Sequence, residues 1–484
     1  MQKQTSKLRQ LVVLAATLAG VIVVGWLIYR SLSHPDEAHA APHAPPFWGI
    51  GLAPFIALLL AIAILPLLMW THAWWESNVS RLIVSLSLAF CTLAYFAVAE
   101  GVQSVPAVLE HAIVDEYIPF ILLLFSLFVI SGGISVRGDI PAHPVTNTVM
   151  LAIGAAAASF IGTTGASMLL IRPLLQTNSE RKYVTHTVVF FIFLVSNIGG
   201  CLLPIGDPPL FLGYLRGVPF LWTLVLWKEW LFCCVVLLAV YWVWDTVLYK
   251  REPLSSIVRD EAIRQPFHIR GSINFIWLIG VVLAVWQLVP GRTLPAINFT
   301  VFPFLRELVM LLLVALSLAT TPRGVRADNR FNYHAILEVA ALFIGIFITM
   351  QVPIRVLDVM GGQLGLEHPF QFFWTTGVLS SFLDNAPTYV VFFETANAMT
   401  HEPGEGVLQL MSNHFMREDL LIAISLGAVF MGANTYIGNG PNFMVKSIAE
   451  QSGVRMPGFF NYMLLYSIPV LMPLFVLVTI LFLL

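Results

Sequence analysis

The chain has 484 residues, of which 58% are hydrophobic and only 11% are charged. Soluble domains carry about 25% charged residues, so this composition excludes a soluble globular protein and indicates a polytopic membrane protein. The formal net charge of −2 says nothing about nucleic acid or acidic partners, because the distribution of Lys and Arg matters in a membrane protein. The four cysteines, Cys91, Cys201, Cys233 and Cys234, lie in apolar stretches without disulfide or metal-site spacing.

The first apolar stretch, residues 11–29, follows a basic start and precedes a segment rich in His, Pro and Ala. The ending Ala38-His39-Ala40 allows a signal-peptide interpretation, but the apolar run exceeds the about 7 to 15 residues of such segments. We therefore expect residues 1–46 to form an N-terminal transmembrane helix and an external linker.

Apolar runs of about 20 residues are long enough to cross the hydrocarbon core as helices. Two other apolar segments, 147–176 and 367–398, carry polar turns at their midpoints. Irregular backbone is tolerated at membrane depth only inside protein or beside a water-filled cavity, so each is predicted to be a re-entrant hairpin. The predicted spans number about 11 and lie near 11–29, 48–70, 81–99, 117–136, 184–215, 221–248, 272–290, 305–321, 334–357, 419–447 and 460–484.

Two parts of the chain are similar to each other. The sequences SFIGTTGAS (159–167) and SNIGGCLLPIGDPPLFL (196–212) match SFLDNAPTY (381–389) and GANTYIGNGPNFM (432–444) in order and character. Phe160 then pairs with Phe382, and Ile205-Gly206-Asp207 with Ile437-Gly438-Asn439. Paired, Gly- and Pro-interrupted apolar segments are typical of the binding site of a secondary transporter.

The repeat divides the chain into two halves of one membrane domain. The first inverted repeat is predicted at 47–248, with its hairpin at 147–176 and a broken helix at 184–215. A cytoplasmic loop follows at 249–271. The second repeat is predicted at 272–484, with its hairpin at 367–398 and a broken helix at 419–447.

Positive charge orients the layout. An N-terminus in the cytoplasm places most of the 25 Lys and Arg residues on the cytoplasmic side of the cell (inner) membrane. The C-terminus is then external, and the two hairpins enter from opposite faces. The fold class predicted is an all-α polytopic membrane protein with inverted five-helix repeats and broken helices.

Ion or substrate binding is expected at four polar breaks, which are the turns of the two hairpins and the interruptions of the two broken helices. Unwound backbone frees carbonyls that ligate a hard cation such as Na⁺ together with side-chain oxygens. Asp207 and Asp384 bring two carboxylates to this depth, and no Lys or Arg lies inside a break. Intramembrane carboxylates are costly, which favours a functional role; the alternative is that Asp384 caps a helix and Asp207 ends one before Pro208.

The other candidate ligands are polar residues of the same breaks. For each, the alternative role is a hydrogen bond that satisfies the broken backbone. Asp384, Asp207, Asn197 and Asn434 are the first candidates for Na⁺. The remaining candidates for ion or substrate binding are Thr163, Thr164, Ser167, Asn385, Thr388 and Asn439.

Charges outside the breaks are less informative. Arg172 and Glu394 occupy equivalent places in the two hairpins, since both are related by the offset that pairs Phe160 with Phe382. They either pair across the pseudo-two-fold axis or snorkel near the hairpin mouths, and the second arrangement is favoured.

The breaks also resemble a known family. The run 197–207, with Asn197-x-Gly-Gly and Pro-Ile-Gly-Asp207, resembles the NAGG…PIGD signature of NhaD-type sodium/proton antiporters, and 383–387 resembles their DN-x-P signature. These antiporters belong with citrate-transporter-like and arsenite-pump proteins in the ion transporter superfamily. The chain departs from the antiporters at 162–165, where they tend to carry another Asp-Asn pair, and at 435–442. The resemblance implies a secondary transporter, with a homodimer possible by analogy.

The function expected first is Na⁺/H⁺ antiport by alternating access, in which Na⁺ and H⁺ compete for Asp384 and Asp207. The main alternative is a Na⁺- or H⁺-coupled carriage of a citrate-like carboxylate. An ion channel and an enzyme are disfavoured, because occluding hairpins suit alternating access and no Ser/His/Asp or HExxH arrangement is present. No GxxxxGK[ST] run occurs, so we expect no nucleotide. We also expect no nucleic acid and no cofactor. The expected partners are the lipid bilayer and a small ion, with Na⁺ and H⁺ as transported or coupling ions.

Overall fold

The structure is a computed structural model that describes residues 44–484 except 67, 69, 263–264, 295–297, 330, 401 and 412–413. The predicted span at 11–29 and nearly all of the predicted 1–46 segment lie outside the described residues. The regular structure is almost entirely helical, with three short two-stranded sheets among the described residues. The predicted all-α polytopic membrane fold is confirmed.

Long apolar helices alternate with interrupted ones. Five described helices are each long and apolar enough to cross a membrane, or six spans if one bent pair is counted as a span. The bent pair, His334–Thr349 and Gln351–Gln363, meets at 43°. The other predicted spans consist of shorter helices, because the polar breaks divide them. The total of about 11 crossings therefore stays a prediction.

The helices of the first half follow the predicted apolar segments. The helix Thr185–Leu194 is followed by a 3₁₀ turn at Ile198–Cys201, and the helix Val102–Ser131 contains a π-helical stretch at Glu110–Tyr117. In chain order the helices are α1 (Trp48–Ile64), α2 (His72–Trp75), α3 (Asn78–Ala99), α4 (Val102–Ser131), α5 (Pro144–Ile161), α6 (Thr163–Thr177), α7 (Thr185–Leu194), α8 (Pro208–Leu215) and α9 (Trp222–Tyr249).

The second half has the same kinds of element. A 3₁₀ turn at Gly432–Asn434 follows the helix Glu418–Met431. The helices are α10 (Leu254–Ala262), α11 (Ile273–Gln287), α12 (Leu305–Thr320), α13 (Val325–Asp328), α14 (His334–Thr349), α15 (Gln351–Gln363), α16 (Pro369–Phe382), α17 (Asn385–Asn397), α18 (Glu418–Met431), α19 (Gly440–Gln451) and α20 (Phe459–Leu483).

The strands are short and were not predicted. β1 (Ser135–Asp139) pairs antiparallel with β2 (Gln265–Arg270), which places Ser135 opposite Arg270 and connects the first half to the loop at 249–271. That loop also contains α10. The other two sheets are hairpins of β3 (Thr293–Leu294) with β4 (Phe299–Thr300), and of β5 (Val407–Gln409) with β6 (Phe415–Arg417).

The two hairpins turn at the polar residues that interrupt their apolar sequences. α5 ends at Ile161, and Gly162 follows with φ of 77°, a conformation that glycine adopts without the steric cost of a side chain. In the second hairpin, α16 ends at Phe382, Leu383 is extended, and Asp384 begins the next helix as its N-cap. The helix pairs α5–α6 and α16–α17 thus occupy the segments predicted as hairpins.

The hairpins pack in a reciprocal manner. The first arms, α5 and α16, each contact the broken helix of their own half, at the 3₁₀ turn after α7 and along α18 respectively. The second arm α6 contacts α19, and the second arm α17 contacts α8, so each reaches the broken helix of the other half. This exchange of partners occurs in both halves, as the similarity between them predicts. The boundaries of the two repeats remain a prediction.

The sidedness of the loops is testable with two cysteine variants, Ser255→Cys in α10 and Glu405→Cys beside β5, because both residues are exposed. Cys91, the exposed native cysteine, is first replaced by alanine. A membrane-impermeant maleimide should label position 255 only in inverted vesicles and position 405 only in right-side-out vesicles, since positive charge places 249–271 in the cytoplasm. Labelling of both positions from one face would contradict the inverted layout.

Candidate ion-binding site

The tip of the first hairpin is attached to the break between α7 and α8. The backbone N–H of Thr163 donates to the carbonyl of Gly206 at 2.8 Å. Within the break, Gly200 and Gly206 approach so closely that a Cβ on Gly206 would overlap the Gly200 carbonyl oxygen. The repeat-related Gly432 and Gly438 make the same approach, where a Cβ on Gly438 would lie 2.7 Å from the Gly432 oxygen. Both breaks therefore need glycine at these positions.

Asp207 lies at the centre of the site and is only 1% exposed. Its Oδ1 accepts hydrogen bonds from the Thr163 hydroxyl at 2.8 Å and from Asn439 Nδ2 at 3.1 Å. Its Oδ2 accepts from Asn385 Nδ2 at 2.7 Å. The three donors come from the first hairpin, the second broken helix and the second hairpin, so one carboxylate joins all of these elements.

The position of Asp207 explains why its side chain is free for these contacts. It is the N-cap residue of α8, but the carboxylate does not cap the helix. Pro208 and Pro209 follow and have no N–H, and Leu210 N donates to the Asp207 backbone carbonyl. Little of the usual capping demand is left, so the carboxylate is directed across the protein.

The repeat partner of Asp207, Asn439, provides the matching donor. Asn439 is the N-cap of α19, and its Nδ2 also donates to the Ser196 carbonyl at 3.0 Å and to Asn197 Oδ1 at 3.2 Å. Asn197 in turn donates through Nδ2 to Asn442 Oδ1 at 2.8 Å. The starts of the two half-helices α8 and α19 therefore meet through a carboxylate–amide pair.

Asp384 has a different environment. It is partly buried, and its Oδ1 accepts from Ala386 N at 3.1 Å, which caps α17. The alternative considered for this residue, helix capping, is thus correct for one oxygen. The next residue, Asn385, donates to Asp207, so its side chain connects the start of α17, where Asp384 lies, to the Asp207 carboxylate.

Two buried amide oxygens in the site have no hydrogen-bond partner. They are Oδ1 of Asn385 and Oδ1 of Asn434, whose Nδ2 groups donate to Asp207 and to the Ser381 hydroxyl respectively. A buried acceptor without a partner costs about 1–3 kcal/mol, so such groups require an explanation. Amide oxygens are ligands for hard cations, and a Na⁺ ion held with the nearby carboxylates fits this donor set.

The remaining candidates are Ser167, Thr388 and Thr164, and their surroundings differ. Ser167 is fully buried, and its hydroxyl is 2.8 Å from that of Ser196 in the first break. Thr388, by contrast, donates to the Asp384 carbonyl within its own helix, as expected for satisfaction of the backbone. Thr164 lies in the first turn of α6, and none of the described hydrogen bonds connects its hydroxyl to Asp207.

Sequence reasoning missed several residues that the structure brings into the site. Ser381 donates to the carbonyls of Gly377 and Met431 and accepts from Asn434, and Asn442 donates to Gly432 and Thr435 carbonyls. Two features of the sequence could have identified these residues. Ser381 is the repeat partner of Ser159, which bonds Gly199 and Leu202 in the first break, and Asn442 follows Asn439 by three residues, on one face of a helix.

The charge of the site is negative. Among the described residues of the four breaks there is no Lys or Arg, and no group of three or more His, Cys, Asp or Glu with metal-binding geometry occurs in the described chain. Oxygen atoms from carboxylates, amides and hydroxyls dominate the site, and such atoms suit hard cations.

Asp207→Asn should destabilise the protein. Its new NH₂ group would replace a carboxylate oxygen that now accepts a hydrogen bond, and would therefore face another donor. The expected loss is about 1–3 kcal/mol of stability, seen as a lower Tm of the purified protein in detergent. Asp384→Asn is the matched control, since an Asn side-chain oxygen still caps α17. Equal Tm values for wild type and Asp207→Asn would show that the three hydrogen bonds contribute nothing.

Comparison with known proteins identifies the family of the chain. No curated protein sequence matches the chain. Residues 45–483 match the model of a family described as "Putative citrate transport". The match includes both hairpins and both broken helices, so the chain belongs to this citrate-transporter-like family of membrane transport proteins.

Proposed function

We propose that the protein is a secondary active transporter driven by a cation gradient, and that the Asp207–Asp384 site binds the driving cation, H⁺ or Na⁺. The observation that carries this proposal is the excess of acceptors where the four helix breaks meet. Two carboxylates and two unpartnered amide oxygens lie there without a basic side chain of the described breaks. A bound cation or proton offsets the cost of this buried negative charge.

The two carboxylates have separate roles in this proposal. Asp207 connects three elements through its hydrogen bonds, so these bonds change when the elements move relative to one another. Asp384 uses one oxygen as a helix cap and keeps the other for an ion. Protonation of Asp384 removes the charge that attracts Na⁺, so the two cations compete for one place.

The transported solute is proposed to be a carboxylate of the citrate class, as the family description suggests. The N-termini of α6 and α17 direct partial positive charge toward the site and favour an anion. Pro208 and Pro209 remove two N–H donors from α8, so that helix contributes less. Since the breaks supply no basic side chain, the coupling cation provides the main compensation for the anion's charge.

Reciprocal packing supports alternating access. α8 and α17 are in contact, and so are α6 and α19, so each half of the site contains one arm of a hairpin and one half-helix from the other repeat. Movement of one such pair exposes the site to one side of the membrane. The remaining long helices form the scaffold.

Na⁺/H⁺ antiport without a carboxylate solute is the second candidate. The absence of Lys and Arg from the described breaks favours it, because a multiply charged anion is usually matched by a basic side chain. Sequence analysis placed antiport first; we place carboxylate transport first here because the matching family is described as "Putative citrate transport".

Transport assays on proteoliposomes separate the two candidates. With an imposed inward H⁺ or Na⁺ gradient, labelled citrate should accumulate if the solute is a carboxylate. With a preformed proton gradient and no carboxylate, added Na⁺ should collapse the gradient if the protein is an antiporter. Liposomes without protein are the control, and the absence of both activities would contradict cation-coupled transport.

Asp384→Asn should abolish cation-driven transport while expression and Tm stay normal, because the variant retains the cap but loses the titratable charge. Asp419→Asn is the matched control: Asp419 also accepts from a backbone N–H at the start of a helix, at 2.8 Å from Leu420 N, but it is exposed beside Arg417. Wild-type transport by Asp384→Asn, with an unchanged pH profile, would contradict the role of this carboxylate.

A further inference from the structure

A second group of buried charges lies away from the ion site. Arg216 Nε is 2.7 Å from Glu394 Oε1, and its Nη2 contacts Glu116 Oε1. Glu116 is 6% exposed and Glu394 7% exposed. Gln351 Nε2 donates to the second oxygen of Glu116 at 3.0 Å. We call Glu116, Arg216 and Glu394 the acidic triad. Glu394 is therefore buried against Arg216 and does not snorkel, the arrangement that the sequence analysis favoured.

The acidic triad is joined to the ion site by two helices. α8 has Asp207 as its N-cap and Arg216 as its C-cap, so eight residues, about 12 Å of helix, separate them. α17 has Asp384 as its N-cap and carries Glu394 further along. α8 and α17 pack together where Gly213 leaves room for the Tyr389 hydroxyl. The same two helices thus carry the ion site at one end and the acidic triad at the other.

The third member comes from the scaffold. Glu116 belongs to α4 and lies in its π-helical stretch, Glu110–Tyr117. π-Helical turns occur frequently at functional sites. Gln351, which fixes Glu116, begins α15 directly after the bend from α14. Arg216 therefore connects the α8–α17 pair to two irregular places in the long helices.

The charges of the acidic triad do not balance, since two carboxylates face one guanidinium. The basic groups nearby have other partners: Arg355 of α15 pairs with Glu100 at 2.6 Å, and His111 of α4 is 3.4 Å from Asp115. One guanidinium neutralises only one of two buried carboxylates, and the second negative charge favours protonation of one member of the pair. Other titratable groups on the elements packed here are Glu110, Tyr117, Tyr214, Asp358 and Tyr389.

We propose that the acidic triad is a proton-binding site separate from the Asp207–Asp384 site, and that its proton controls the attachment of α8 and α17 to the scaffold. With the proton on Glu394, Glu116 holds Arg216 and keeps α8 against α4. With the proton on Glu116, Arg216 pairs with Glu394 alone, and α8 and α17 are released together. The coupling to transport rests on the proposed function, whereas the proton site itself does not.

Infrared spectroscopy of the purified full-length protein, in buffer without Na⁺ or citrate, tests the proton site. A protonated buried carboxyl gives a C=O band that ionised carboxylates lack. Glu116→Gln and Glu394→Gln should each remove the same single band, because the remaining carboxylate then pairs one-to-one with Arg216. Glu307→Gln is the matched control and should remove no band, since Glu307 is buried in a one-to-one pair with Arg306 at 2.5 Å.

Retention of every carboxyl band in both Gln variants would overturn the proton site, whether or not transport is observed. In proteoliposomes, both variants should also shift the pH dependence of the transport rate relative to wild type, whereas Glu307→Gln should keep the wild-type profile. Loss of the band together with an unchanged pH profile would overturn the coupling. If no variant and no wild-type protein transports, but the band behaves as expected, the proposed function fails and the proton site is retained.

Discussion

Four breaks in apolar helices leave backbone N–H and C=O groups inside the protein at membrane depth, where lipid offers them no hydrogen bonds. The structure satisfies them within the protein. Thr163 N donates to Gly206 O, the Ser159 hydroxyl donates to Gly199 O at 2.5 Å, and Asn442 donates to the carbonyls of Gly432 and Thr435. The buried serine hydroxyls that donate to backbone carbonyls, the close glycine pairs and the reciprocal contacts of the hairpins all help to meet this requirement.

Similarity between the halves does not make their polar groups equivalent. Asp207 and Asn439 are repeat partners and both are N-cap residues, but the first only accepts and the second donates to it. Two aspartates at these positions would repel each other, and two asparagines would leave one oxygen fewer for the three donors around Asp207. A carboxylate opposite an amide instead allows a hydrogen bond between the starts of the two half-helices.

The two carboxylates of the site and the acidic triad occupy opposite ends of the same helices. α8 is short and α17 packs along it. In the proposed mechanism, a movement of these helices at Asp207 or Asp384 therefore also displaces Arg216 and Glu394. Only Glu116 belongs to the scaffold in this group. A transporter that alternates between two states needs contacts of this kind, which hold in one state and release in the other.

The sequence alone determined the composition class, the positions of the hairpins and broken helices, and the presence of Asp207 and Asp384 in the breaks. These features depend on local patterns: apolar length, glycine and proline at turns, and polar residues where helices stop. The tertiary structure decided which polar groups meet. Asn197 bonds Asn442, 245 residues away, and Arg216 contacts Glu116, 100 residues away. Apolar periodicity carries no information on such pairs, because they depend on how the two halves pack, and packing brings together side chains that are neighbours only in space.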